Sequence, residues 1–231
     1  MIGIIGAMNV EINGYLSLLE KHVEQSFGCF HFHTGLLCNK EVVIAKCGVG
    51  KVCAAACTTA MILKYSPDLI INTGVAGGLL SAQGMKTGDI VIASDVVHHD
   101  ANVCNLGYED GQIPDMPTFY PCDKDALNEL IKIARNVLDV NIFSGRIASG
   151  DRFVCSSSDS QNIYERFSPA AVEMESSAIG QACYMLGTSF VIIRSISDCA
   201  DEEATQSYEE FTQIAAKNAI TLACEFLKRR S

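Results

Sequence analysis

The stretch Asp68–Gly78, DLIINTGVAGG, decides the fold class. Its first half is a short, continuous, β-branched run, the pattern of a strand covered on both faces. Its second half, NTGVAGG, reads as a glycine-rich turn after that strand, where backbone amides can approach a ligand closely. It is not GxGxxG, it lacks the lysine of a phosphate loop, and no acid follows at the dinucleotide spacing. Alone it implies only a ligand-facing turn.

The same kind of run recurs on either side. IGIIGA at the start, EVVIAKC at 41–47, DIVIASDVV at 89–97 and SFVIIRSIS at 189–197 all read as buried strands. His31 and His33 alternate within a further strand-like segment. Helical patterns lie between: VEINGYLSLLEKHV, KVCAAACTTAMILKY, KDALNELIKIARNVL, SSAIGQACYML and a long run from Ser207 to Lys228. Strand and helix alternate throughout, so the expected fold is α/β with a mainly parallel sheet. No linker, repeat or low-complexity segment interrupts residues 1–231, which are read as one domain. Ligands of such folds bind beyond the carboxyl ends of the strands.

Composition narrows the classes. The chain is 48% hydrophobic and 19% charged, with a net charge of −10. That is too apolar for a disordered protein and too acidic for a nucleic-acid partner. The eleven cysteines are odd in number, contain no CxxC and sit mostly in apolar runs, so they read as reduced core residues. MIGIIGAM lacks the basic start of a signal peptide, and no apolar run approaches the ~20 residues of a membrane span. A cytoplasmic protein with no membrane association is expected. The HHD of His98, His99 and Asp100 is a poor chelate, because adjacent strand residues point to opposite sides. No metal is expected.

Three acids stand at strand ends on one rim. Glu11 falls in the first turn of a helix after the first strand, where its charge also suits the helix dipole. Asp198 closes SISD at the end of the last strand, as a helix cap or a catalytic acid. Glu175 lies in AAVEMESSAIG with Glu173 two residues before it. As a strand, that segment points both acids to one side; as a helix, it sets them about 200° apart.

Six segments together resemble the 5′-methylthioadenosine/S-adenosylhomocysteine nucleosidases of the purine nucleoside phosphorylase/hydrolase superfamily. They are GIIGAMNVEI, KCGVGKVCAA, INTGVAGGL, SGDRFV, VEMES and RSISDCAD, in order from Met1 to Lys228. The resemblance implies a three-layer α/β/α sandwich around a mixed, mainly parallel sheet, a homodimer, and cleavage of the N-glycosidic bond of 5′-thioadenosines without a cofactor. Carried over by position, Asp198 protonates the purine N7, Ser197 holds that carboxyl group and Glu11 activates water. Glu175 binds the ribose hydroxyls with Met174 beneath the sugar, while Phe153 stacks on adenine and the Val154 backbone reads its edge. Val75, Ala76 and Gly77 line base and ribose; Met8, Val49, Glu173 and Tyr208 complete the pocket. Glu173 is expected to brace the site against Arg194. Val103, Leu106 and Pro114 are expected to reach the partner subunit's site.

Hydrolase and phosphorylase share this fold. Superfamily phosphorylases grip phosphate with arginines, one of them on the first strand's loop, because the planar fork binds phosphate bidentately. Here no arginine precedes Arg135, and that loop reads AMNVE. An acid repels phosphate and suits water, so hydrolysis is expected. The alternatives are a purine nucleoside phosphorylase, an aminodeoxyfutalosine nucleosidase, or a nucleoside-binding protein without chemistry. Two departures from the family pattern bear on the 5′-substituent: Leu106 where an aromatic ring is common, and Tyr208 where phenylalanine is common. They leave methylthio, homocysteinyl, 5′-deoxy and futalosine-type groups open.

Overall fold

The structure, a computed structural model, describes residues 1–201 and 203–230. In chain order the elements are β1 (Ile2–Gly6), α1 (Asn9–Leu18), β2 (Glu20–Phe27), β3 (Phe30–Leu37), β4 (Lys40–Lys46), α2 (Lys51–Tyr65), β5 (Leu69–Gly78) and β6 (Ile90–His98). They continue with β7 (Tyr120–Pro121), α3 (Lys124–Val137), β8 (Ile142–Ser149), α4 (Ser157–Phe167), β9 (Ala171–Glu173), α5 (Ser176–Leu186), β10 (Ser189–Asp198) and α6 (Ala204–Arg229).

The strands of the described residues form one mixed sheet. β4, β1, β5 and β10 run parallel side by side. β6 lies antiparallel to β10 and parallel to β8. β9 pairs with both β8 and β5, so β5, β10, β6, β8 and β9 close into a ring. The antiparallel hairpin of β2 and β3 extends the other edge beyond β4.

Helices cover both faces because the apolar strands leave no wet side. Cys57 and Met61 of α2 and Ile179 and Cys183 of α5 pack over Val43, Ile70, Val91 and Ile192. Ile12 and Tyr15 of α1, Leu130 of α3 and Leu222 and Phe226 of α6 pack over Ile4, Ile44, Ile71 and Ile193. This is the expected three-layer sandwich. All the cysteines are free thiols; five are buried, two half-buried and four exposed, so the reading as core residues holds for Cys47, Cys57, Cys122, Cys183 and Cys224 and not for Cys29, Cys53, Cys104 and Cys155.

Two expectations need correction. The first helix stops at Leu18 rather than reaching Val23, and Glu20–Phe27 is instead an edge strand paired with β3. Its residues are exposed throughout, so no apolar stripe announced it. The second concerns NTGVAGG, which is no turn: β5 continues through Gly78 in parallel register with β10. Its glycines serve a different need. A Cβ on Gly74 would lie 2.5 Å from Glu11 Oε1, and one on Gly77 would lie 2.9 Å from Asp198 Oδ1. The strand is bare there because two carboxylates lie against it.

Candidate active site

A cavity of about 390 Å³ opens at the carboxyl ends of the strands, lined chiefly by apolar side chains and by Glu11, Glu175 and Asp198. Each acid is delivered by a different device. Glu11 occupies the third position of α1, where its Oε2 accepts from Ala7 N at 2.6 Å and Met8 N at 2.9 Å. Its Oε1 accepts from Val75 N at 3.1 Å, tying the α1 entry to β5. These donors fix the carboxylate, as helix N-terminal amides do.

Asp198 is aimed by an irregularity in β10. The β5–β10 register slips between Ile196 and Asp198, leaving Ser197 as an extra residue. Such a bulge bends the strand and redirects side chains, a frequent device beside active sites. Here it turns both Ser197 and Asp198 into the cavity. Ser197 Oγ donates to Asp198 Oδ2 at 2.8 Å, and Ala200 N donates to Oδ1 at 2.9 Å.

Glu175 and Glu173 have separate surroundings, although two residues apart. Glu173 ends β9 and Glu175 begins α5. Glu173 faces inward, where Arg194 Nη2 donates to its Oε2 at 2.6 Å. Its carboxylate also accepts from Ser176 N and Oγ, from Glu175 N and from Ser149 Oγ. Arg194 Nη2 reaches Asn72 Oδ1 and Ser176 Oγ as well. The Glu175 carboxyl group makes one hydrogen bond among the described residues, its Oε1 accepting from Gly50 N at 2.8 Å.

The electrostatics follow from those partners. Glu173 is buried, which opposes its charge, but Arg194 and the surrounding donors outweigh that and hold its pKa below the ordinary range. Glu175 is pushed up to about 8 by burial and by the charge of Glu173. Burial raises Glu11, against the pull of Arg194 and its three backbone donors. Burial likewise raises Asp198, against Ser197 and Ala200. Three carboxyl groups with raised pKa thus face the cavity, and the Arg194-paired carboxylate of Glu173 sits at its inner wall.

The remaining wall is apolar and aromatic. Phe153 and Tyr208 meet edge to face with ring centroids 5.7 Å apart, and the Tyr208 hydroxyl lies 2.9 Å from Met8 Sδ. Met8, Val49, Val75, Ala76, Gly77, Val154, Glu173 and Met174 complete the lining expected from the sequence. Val103, Leu106 and Pro114 are not brought to it; they lie in the 99–119 loop, where Leu106 and Pro114 are exposed. Sequence reasoning assigned no cavity role to Val172 and Thr205, nor to the hydroxyls of Ser149 and Ser176 around Glu173. A lone arginine inside FVIIRSIS was the available signal for that inner cluster, since a buried charge demands partners.

Among the described residues no group of three or more His, Cys, Asp or Glu is arranged to hold a metal ion. His98 is instead held by Ser177 Oγ at 2.8 Å and Gln181 Oε1 at 2.9 Å. No helix of the described residues is long and apolar enough to cross a membrane.

The α/β sandwich thus sets three carboxyl groups with raised pKa around an apolar, aromatic-walled cavity. Residues 1–228 match the family model of the phosphorylase superfamily. A 5′-methylthioadenosine/S-adenosylhomocysteine nucleosidase from Exiguobacterium sp. is 44% identical over 229 residues, covering 99% of this chain and 97% of that protein. The crystal structure of the nucleosidase of that name from Neisseria meningitidis, in complex with methylthio-immucillin-A, superposes with a TM-score of 0.95 at 41% identity, covering 99% of each chain. A futalosine hydrolase from Helicobacter pylori superposes with a TM-score of 0.93 at 33% identity, covering 99% of this chain and 97% of that one. The chain belongs to the phosphorylase superfamily and, within it, to the 5′-methylthioadenosine/S-adenosylhomocysteine nucleosidases.

Proposed function

We propose that the protein hydrolyses the N-glycosidic bond of 5′-methylthioadenosine and S-adenosylhomocysteine, releasing adenine and the corresponding thioribose. The observation that carries this reading is the disposition of Glu11, Glu175 and Asp198 around one cavity, each with its pKa raised. Adenine is a poor leaving group as an anion, so departure needs a proton on its ring nitrogen. A buried Asp198 whose pKa is raised is suited to deliver a proton to N7. As the bond lengthens, the sugar develops oxocarbenium character, which nearby anions stabilise. Glu11, with its basicity raised by burial, takes a proton from the attacking water. Glu175 engages the ribose hydroxyls, Met174 packs beneath the sugar, and Phe153 with the Val154 backbone holds the base.

The arginines support water over phosphate as the nucleophile. Arg194 is committed to Glu173, Asn72 and Ser176, and Arg152 at the cavity wall is paired with Asp159. Arg194 does not line the cavity and Arg152 is engaged by Asp159, so no guanidinium is offered to a phosphate beside the Glu11 carboxylate, which would repel it.

We further infer a cytoplasmic homodimer in which Val103, Leu106 and Pro114 complete the partner's site. Exposed Leu63 on α2, Tyr184 and Met185 on α5, and Leu106 support an apolar association face. The test of the function is an adenine-release assay over 5′-methylthioadenosine, S-adenosylhomocysteine, 5′-deoxyadenosine and aminodeoxyfutalosine, with and without phosphate. Release from the two thioadenosines at a phosphate-independent rate is expected. Release only from aminodeoxyfutalosine would replace the substrate, a phosphate requirement would make the protein a phosphorylase, and binding without release would remove the chemistry.

A further inference from the structure

The loop that enters α2 carries Gly50, whose N–H donates the one hydrogen bond that the Glu175 carboxyl makes among the described residues, at 2.8 Å. Gly50 stands at the N-cap of α2 with φ of 95°, a conformation that favours glycine, and it has no side chain to cap the helix. Asp151, a hundred residues on, supplies the cap: its Oδ1 accepts from Lys51 N at 2.7 Å. The fit is close, since a Cβ on Gly50 would lie 3.0 Å from that oxygen. Asp151 is fixed in turn, its N–H donating to Asp100 Oδ2 at 3.0 Å. Lys51 Nζ closes the circuit by donating to Asp100 Oδ1 at 2.5 Å. Three segments, following β4, β6 and β8, are thereby tied together at the rim of the sheet.

We propose that Lys51, Asp100 and Asp151 form a clasp that positions Glu175 on the ribose by presenting the Gly50 amide to it. None of the three touches the cavity, so they are positioning residues; the inference rests on Glu175 being the ribose-binding acid. The clasp acts through a single backbone donor. Losing it frees Glu175 to rotate and weakens its grip on the sugar hydroxyls in the bound substrate. Lys51 and Asp100 are partly exposed, with side chains 20% and 30% accessible, so their replacement leaves the core unchanged.

The experiment is steady-state kinetics of Lys51→Met, Lys51→Arg and Asp151→Ala with 5′-methylthioadenosine and with its 2′,3′-dideoxy counterpart. Lys51→Met and Asp151→Ala should each raise KM for 5′-methylthioadenosine about tenfold, equivalent to roughly 1.4 kcal/mol of binding, with kcat changed far less. Lys51→Arg should recover most of the loss, because it restores the ion pair to Asp100. On the dideoxy nucleoside the same variants should show little change in KM, since the hydroxyls that Glu175 holds are gone. Unchanged KM in Lys51→Met and Asp151→Ala would overturn the proposal. So would an equal rise on both nucleosides, which would mark a general structural effect. Should the wild type release no adenine, the functional reading fails, and the clasp is judged by the Gly50 amide in isotope-labelled protein. Its shift should follow the Glu175 titration in the wild type and cease to do so in Asp151→Ala; identical behaviour in both would overturn the clasp.

Discussion

The two sides of the sheet's rim use the same residue type to opposite ends. At the inner wall of the cavity, Glu173 accepts from Arg194, Ser149, Ser176 and the Glu175 amide, while the buried Arg194 Nε has no partner among the described residues. In front, Glu11, Glu175 and Asp198 make no ion pair among the described residues, and the charge of Arg194 behind Glu11 and Glu175 does not outweigh their burial. The first arrangement holds a carboxylate ionised; the second leaves carboxyl groups able to keep a proton. The difference lies in where the single buried arginine spends its donors. A buried ion pair made in this way is a scaffold more than a source of stability, because desolvation offsets much of its attraction. What it achieves is separation: one acid orders the α5 entry, and the others remain available for proton transfer.

The largest expected effect breaks the cavity side. Asp198→Asn and Glu11→Gln should each lower adenine release from 5′-methylthioadenosine by about a thousandfold or more, with unchanged circular dichroism and melting. Near-normal turnover in either variant would remove its assigned role. Next comes the scaffold side. Arg194→Met leaves Glu173 charged, buried and unpaired, and chemical denaturation should register a loss of about 3–5 kcal/mol. A change within measurement error would mean that the donors from Ser149, Ser176 and the α5 backbone hold Glu173 without the guanidinium.

A third comparison uses pH. The folded state raises Glu175 from the ordinary 4.5 to about 8, so it binds a proton that the unfolded chain releases. The sign is unfavourable: stability is lost as pH rises between those values. Glu175→Gln should remove that loss and be more stable than the wild type at pH 9 by on the order of a few kcal/mol, with little difference at pH 4. Parallel pH–stability curves would show that Glu175 is not perturbed. The smallest effect belongs to Tyr208. Its hydroxyl meets a thioether, a weak acceptor, so Tyr208→Phe should change kcat/KM for 5′-methylthioadenosine less than about threefold. A much larger loss would place that hydroxyl in contact with the substrate.

How far these features could be read in the sequence depended on how local their causes are. The five long strands were legible because continuous β-branched runs have a single physical use. The pairing of Glu173 with Arg194 was expected only as a brace beside the family resemblance, although a charge inside FVIIRSIS carried a physical signal for it, since a buried charge needs a partner. The edge strand Glu20–Phe27 was not, because it buries nothing and its pairing with β3 is a property of the neighbour. NTGVAGG was misread as a turn because glycine serves close approach as readily as positive φ; only the carboxylates of Glu11 and Asp198 beside it decide between them. The bulge at Ser197 and the clasp of Lys51 to Asp100 and Asp151 were equally invisible. They depend on register and on contacts spanning tens to a hundred residues, which no local pattern encodes.

The most direct test of the separation between the two sides is a carboxyl carbon NMR titration of the ligand-free wild type with isotope-labelled Glu and Asp, assigned by single substitutions. The account predicts a Glu175 midpoint near 8, midpoints for Glu11 and Asp198 above the ordinary carboxylate range, and Glu173 still ionised at the lowest pH the fold survives. All four groups titrating together in the ordinary range would contradict it.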